Sequence, residues 1–197
     1  PTRRSSDLIN LQTQMAEPVA DATIEAFRVG QAQPVATTTT DTSGNWTVSI
    51  PNAATTPVDG YVRATKTGNR TTYLYPPSPM AANIANAPIL LLSNMTFSFL
   101  VQFAQTTQAA GNGSLGLAVV DCANMPIAGA TIAVTQNGAA VGHFFNVSQL
   151  QAGASLTFDI PPGKTDINVS YNGTTFRARS VDVFAGSTST TVVRPGF

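Results

Sequence analysis

The chain has 197 residues, of which 43% are hydrophobic and only 10% charged, against about 25% charged in ordinary soluble domains. Ten Lys+Arg balance ten Asp+Glu, so the basic footprint that phosphate-rich partners require is missing and nucleic acid is excluded as a partner. One cysteine, Cys122, and one histidine, His143, exclude an internal disulfide and leave no soft-ligand cluster for zinc or copper.

In chain order, the opening run Pro1–Asp7 is polar throughout. It carries no signal-peptide pattern, resembles translated sequencing-adapter read-through, and is set aside from the fold. Thereafter apolar and polar residues alternate in short β-branched runs between turn residues, which predicts strands rather than helices. The first group is Leu8–Thr13, Ala22–Val29, Val35–Thr40, Asn45–Ile50, Gly60–Lys66 and Thr71–Tyr75. Turns are expected at Gln14–Pro18, Asp41–Gly44, Pro51–Asp59 and Thr67–Arg70. A stiff run, PPSP, and a soft one, QAAGNGS, bound the segment 81–113, which reads as a linker. Its apolar centre predicts a helix over 94–105, capped by Ser93 or Asn94, with Phe97, Phe99, Leu100, Val101, Phe103 and Ala104 on one broad apolar face. A membrane segment would have to bury Asn94 and Gln102 in lipid, so no transmembrane span is expected. The second group of strands is Gly116–Val120, Ala130–Gln136, Ser155–Ile160, Thr165–Tyr171, Thr174–Val183 and Thr188–Val193.

The two groups repeat one another. PVADATI at Pro18–Ile24 returns as PIAGATI at Pro126–Ile132, 108 positions later, and WTVSIP at Trp46–Pro51 returns as LTFDIP at Leu156–Pro161, 110 positions later. Order and spacing are both kept, which points to two copies of one module. The reading is therefore all-β, with a first module at 8–80, the linker at 81–113, and a second module at 114–197.

The motifs PVADATIEAF, TTDTSGNWTVSIP and GYVRATKTGN in the first module, and PIAGATIAV and FDIPPGKTDINVSYNG in the second, resemble the carboxypeptidase regulatory-like (prealbumin-like, CNA-B-like) domains of secreted bacterial proteins. The TDxxG turn occurs only in the first module and PPG only in the second, where Thr165 stands at the position the family gives to tyrosine. The resemblance implies two tandem Greek-key (Ig-like, prealbumin-like) β-sandwiches of a surface or secreted protein. It implies a fold and no particular chemistry.

Candidate sites are few. Asp41 and Asn45 in the DTSGN turn are candidate calcium ligands, although calcium takes about six to eight oxygens and only one carboxylate is local. Gly111, Gly113 and Gly116 spell G-x-G-x-x-G, but a strand and not a helix is expected after them, so no dinucleotide cofactor is implied. Cys122 and His143 form a conceivable nucleophile and base, with His143-Phe144-Phe145 read as a loop and Phe144 and Phe145 as a candidate apolar patch. No two carboxylates pair by local spacing. Tyr73 and Tyr75 alternate on one face of a predicted edge strand and could stack on sugar rings, with Asn69 and Arg70 as hydrogen-bond donors nearby. Six N-x-[ST] sequons, at Asn45, Asn69, Asn94, Asn146, Asn168 and Asn172, accompany the Thr- and Asn-rich composition.

The expected function is that of a non-catalytic extracellular structural or adhesion scaffold in the cell envelope, with polysaccharide or another surface protein as partner and no cofactor. The alternative is a carbohydrate-binding module using Tyr73 and Tyr75, and an accessory domain of an enzyme comes third.

Overall fold

The computed structural model describes residues 4–10, 15–50, 56–84, 87–147, 152–176 and 179–196. The ends of the predicted strand Leu8–Thr13 and of the turns Gln14–Pro18 and Pro51–Asp59 fall partly outside these residues. The chain forms two compact units, Pro1–Ser98 and Phe99–Phe197.

Unit 1 contains β1 (Arg4–Asn10), β2 (Met15–Pro18), β3 (Thr23–Arg28), β4 (Ala36–Thr39), β5 (Asn45–Trp46), β6 (Gly60–Thr65), β7 (Thr72–Tyr75), β8 (Ile89–Leu90) and the first half of helix α1 (Asn94–Phe103). One sheet runs β2-β1-β5, with β8 parallel to β1, and the other runs β4-β3-β6-β7. Strand β1 begins inside the run set aside at the sequence level: Arg4 pairs with Trp46, Ser6 with Ile89 and Asp7 with Pro18. Backbone pairing needs no side-chain pattern, which is why composition gave no warning of it.

The alternation in β3 and β6 sends Ile24 and Ala64 inward, where they meet Val19, Ala22, Trp46, Ile89 and Leu91 in one cluster, flanked by Val48, Val62 and Leu74. Each fully buried aliphatic side chain contributes about 1.5–3 kcal/mol. Two threonines staple the core at its polar points. Thr40 Oγ1 accepts from the Ala22 N–H (2.8 Å) and donates to the Val19 carbonyl (2.6 Å). Thr72 Oγ1 donates to the Leu90 carbonyl (2.9 Å), tying β7 to the β8 segment. The segment read as linker thus supplies core residues, because Ile89 and Leu91 are fully buried.

Unit 2 contains β9 (Gly113–Val119), β10 (Thr131–Gln136), β11 (Ala139–Ala140), β12 (His143–Asn146), β13 (Ala154–Ile160), β14 (Gly163–Tyr171), β15 (Thr174–Thr175), β16 (Arg179–Val183) and β17 (Thr188–Val193). One sheet runs β12-β13-β9-β17, with β9 and β17 parallel. The other runs β11-β10-β14-β15, with β16 also on β14. Leu115, Leu117, Val119 and Ile160 are buried on the first sheet, and Val134, Ile167, Val169, Val181 and Val183 on the second. Ser189 Oγ donates to the Asp182 carbonyl (2.6 Å) and joins β17 to β16. His143-Phe144-Phe145 lies on strand β12 and not in a loop, paired with Phe158, Thr157 and Leu156 of β13.

The repeated motifs share a backbone detail. Asp21 in PVADATI has φ 53 and Gly129 in PIAGATI has φ 79, so the same position turns left-handed before β3 and before β10. The Asx turn is also built twice, but at different places in the strand order. Asp41 Oδ1 accepts from the N–H groups of Ser43 and Asn45 (2.9 and 2.8 Å) between β4 and β5. Asp121 Oδ1 accepts from those of Ala123 and Met125 (both 2.8 Å) between β9 and β10. Gly44 (φ 72) and Asn124 (φ 62) take the left-handed position in each.

Candidate functional site

Tyr73 and Tyr75 lie on β7 as the sequence suggests, but their rings are inside: Tyr73 is 9% and Tyr75 2% exposed. Tyr61 of the neighbouring strand β6 lies beside them, with ring centroids 5.8 Å from Tyr73 and 5.0 Å from Tyr75, and stacks on Phe27 of β3 at 5.1 Å and 13°. Arg63, one row along the sheet, pairs with Glu25 (2.6 Å), hydrogen-bonds Tyr73 and lies 5.0 Å from the Phe27 ring centre. A sugar needs a solvent-facing ring to stack on. These rings face one another.

Asn69 and Arg70 form the turn between β6 and β7, where they hold the start of α1. Asn69 bridges to Ser93, and the Arg70 N–H donates to the Leu92 carbonyl (2.8 Å). The Arg70 guanidinium lies 3.7 Å from the centre of the Phe97 ring. Desolvation there lowers its pKa to about 10, which leaves it cationic at neutral pH and matched to the ring's negative face. Ser93 caps the helix through its Oγ, which accepts from the Thr96 N–H at 3.0 Å.

The helix itself spans Asn94–Phe103 and divides its apolar residues between two faces. Phe97, Leu100 and Ala104 are buried, whereas Met95, Phe99 and Phe103 recur at every fourth position and are exposed, Phe99 by 54% and Phe103 by 61%. Within unit 2, Phe99 stacks on Phe103 (6.1 Å, 16°), Phe103 meets Phe145 edge-on (5.8 Å, 87°), and Phe145 reaches Phe158 (6.4 Å). Phe144 points to the opposite face of β12, as strand geometry requires, so Phe144 and Phe145 do not form one patch. Spacing alone gave the helix; which of its apolar residues are covered is a tertiary matter that spacing does not record.

The Asp41 carboxylate is already occupied by donors, since Oδ1 holds two backbone N–H groups and Oδ2 accepts from Asn45 Nδ2 at 3.2 Å. Converging N–H groups make a surrounding opposite to the one a cation needs. Among the described residues no cluster of three or more His, Cys, Asp or Glu could hold a metal. The melting temperature of the chelator-treated protein is therefore expected to stay unchanged when millimolar calcium is added.

Cys122 and His143 are not brought together. His143 pairs with Phe158 near the Gly113 end of β9, whereas Cys122 follows the Val119 end. A seven-residue strand of about 3.3 Å per residue separates them, and both are exposed. Gly113 and Gly116 lie within β9 itself, so no helix N-terminus follows G-x-G-x-x-G and the phosphate-binding geometry is absent there.

The soft run before β9 is pinned rather than loose. Asp159, a left-handed residue (φ 58) at the point where the β13–β9 register shifts, accepts on Oδ1 from the Ala109 N–H (2.9 Å) and from Asn112 Nδ2 (2.9 Å). Its own N–H donates to Gln108 Oε1 (3.0 Å). A cleft of about 20 Å³ in unit 2, lined by Ile127, Ile132, Phe144, Gly153 and Ser155, holds about one water-sized group; small-molecule sites run to about 300–1,000 Å³.

No family model matches the sequence, and no curated protein matches it. Among solved structures, the chain is similar to the Bacillus anthracis TIE protein at 13% identity and a TM-score of 0.34, covering 98% of this chain and 33% of that one. It is also similar to the shaft pilin SpaA from Lactobacillus rhamnosus GG, at 12% identity and a TM-score of 0.31, covering 100% of this chain and 97% of that one. A third is the streptococcal ancillary pilin, at 11% identity and 0.29, covering 98% of this chain and 62% of that one. Likenesses this slight decide neither the family nor the function of this chain.

Proposed function

We propose that the chain is a non-catalytic structural or adhesion scaffold of an extracellular or cell-envelope protein. The observation that carries the reading is the use to which the chemically able side chains are put. Tyr73 and Tyr75 pack side by side with Tyr61, Arg70 clamps Phe97, and Asp41, Asp121 and Asp159 accept backbone and side-chain N–H groups that shape turns. Such residues serve shape, and a sparsely charged, threonine-rich chain with ten Lys+Arg in 197 residues offers few cleavage points to trypsin-like proteases. No described helix is long and apolar enough to cross a membrane.

The test is retention of the folded chain on an array of polysaccharides and cell-wall preparations, with hydrolase substrates assayed alongside. No saturable retention on polysaccharide and no turnover are expected. Saturable binding to a defined glycan, or turnover abolished by His143→Ala, would replace the scaffold reading by the corresponding one.

A further inference from the structure

The sequence contains three Asn-Gly dipeptides, at Asn112, Asn137 and Asn172, and the fold treats them differently. We infer that Asn137 and Asn172 are sites of spontaneous modification by water, each losing its side-chain amide through a cyclic imide, while the fold keeps Asn112 unreactive. The backbone nitrogen of the following glycine attacks Asn Cγ. An N–C bond forms, the Cγ–Nδ2 bond breaks, and the nitrogen's proton leaves with the amide as ammonia. Water then opens the imide at one of its two carbonyls, giving aspartate or isoaspartate. The balance is one water consumed and one ammonia released, with no oxidant or catalyst.

Glycine favours the step because it has no Cβ to obstruct its nitrogen. What remains is access. Asn137 (φ 50) with Gly138 (φ 79), and Asn172 (φ 48) with Gly173 (φ 77), form the two-residue turns of the β10–β11 and β14–β15 hairpins. Both asparagines are exposed, and neither side chain hydrogen-bonds a described residue. Each turn stands at the tip of its hairpin, beyond the last paired residues, Gln136–Ala139 in one and Tyr171–Thr174 in the other. An exposed hairpin tip opens locally at less cost than the strands behind it, and that opening releases the backbone to rotate into the attacking geometry.

Asn112 is held at every group the reaction must move. Its Nδ2 donates to Asp159 Oδ1 (2.9 Å), its N–H to the Ala109 carbonyl (3.0 Å), and its carbonyl accepts from the Gly186 N–H (3.1 Å). The attacking nitrogen belongs to Gly113, which is buried at the start of seven-residue β9, with the Phe184 carbonyl pressed against the place where a Cβ would stand. The amide is fixed and the nitrogen has no room to turn.

The experiment is peptide mass mapping of the whole folded protein during incubation at mildly alkaline pH, beside the same protein unfolded in urea. A gain of about 1 Da is expected at Asn137 and Asn172, with two new acidic species on isoelectric focusing, as each event adds a negative charge to a chain of net charge zero. Conversion at Asn112 should be at least about tenfold slower, the factor given by about 1.4 kcal/mol of extra opening cost. In the urea-unfolded chain all three should convert alike, and Asp159→Ala should release Asn112 in the folded one. Equal conversion of all three in the folded wild-type chain would overturn the inference, as would intact Asn137 and Asn172 under conditions where the unfolded chain converts. Both outcomes are read on wild type, so the inference stands or falls even if Asp159→Ala does not fold.

Discussion

Truncating Tyr75 to alanine is expected to destabilise unit 1 by about 3–5 kcal/mol, the usual cost of deleting a buried aromatic ring. The ring is 2% exposed and packs on Tyr61 at 5.0 Å, so its removal leaves a cavity beside the Tyr61–Phe27 stack, which the rigid sheet cannot close. A loss of this size is a large fraction of the roughly 5–15 kcal/mol that holds an average domain together. The readout is built in: Trp46, the one tryptophan of the chain, lies buried in the unit 1 core, so the urea midpoint followed by its fluorescence reports this unit. A midpoint unchanged by Tyr75→Ala would mean that the ring is not part of the core, and would return it to the role of a surface ligand for sugar.

Gly142→Ala is expected to cost unit 2 about 3 kcal/mol, summing the left-handed backbone penalty of about 1–2 kcal/mol and an overpacking cost of about 1–3 kcal/mol. Gly142 has φ +73, and a Cβ there would lie 2.6 Å from the Phe158 carbonyl oxygen, 2.7 Å from Thr157 Cγ2 and 2.8 Å from Ile160 Cγ1. The carbonyl belongs to strand β13 and cannot step aside as a flexible side chain would. Gly129→Asp provides the contrast. Gly129 shares the left-handed backbone (φ +79) but has nothing within 4 Å of the point a Cβ would occupy, and Asp21 holds the matching position of unit 1 at φ 53. This substitution is expected to cost less than about 1 kcal/mol, because aspartate visits this region through local hydrogen bonding. Thermal melts of the two variants side by side separate the two contributions; equal losses would show that backbone conformation alone sets the cost at Gly142.

Strands with one buried and one wet face were legible from the residues. Thr23–Arg28, Gly60–Thr65 and Gly163–Tyr171 fall within a few residues of their predicted limits, since period-2 alternation records which side meets the core. Elements without that contrast escaped. β8 has only two residues, and its parallel pairing with β1 depends on a distant segment. β12 carries HFFN, exposed or half-buried along its length, so nothing in its pattern distinguishes a strand from a loop.

The same limit applied to the candidate site. Thr72, Tyr73 and Tyr75 of β7 are all buried, hence this strand is covered on both faces, and alternation cannot tell an exposed aromatic row from an enclosed one. The run QAAGNGS has the composition of a flexible tether, yet a single aspartate fifty residues away in sequence holds it through three hydrogen bonds. Composition describes what a segment would do alone; Asp159 is a tertiary fact.

The turn at Asp121 has a practical consequence. Its fixed points are the Asp121 carboxylate and the N–H groups of Ala123 and Met125, while Cys122 projects into solvent from between them. It is the single thiol of the chain, so a maleimide dye or a surface tether attaches at one defined place in unit 2 without any engineering. Trp46 supplies a natural optical probe in unit 1, and between them the wild-type protein already carries an independent reporter for each half.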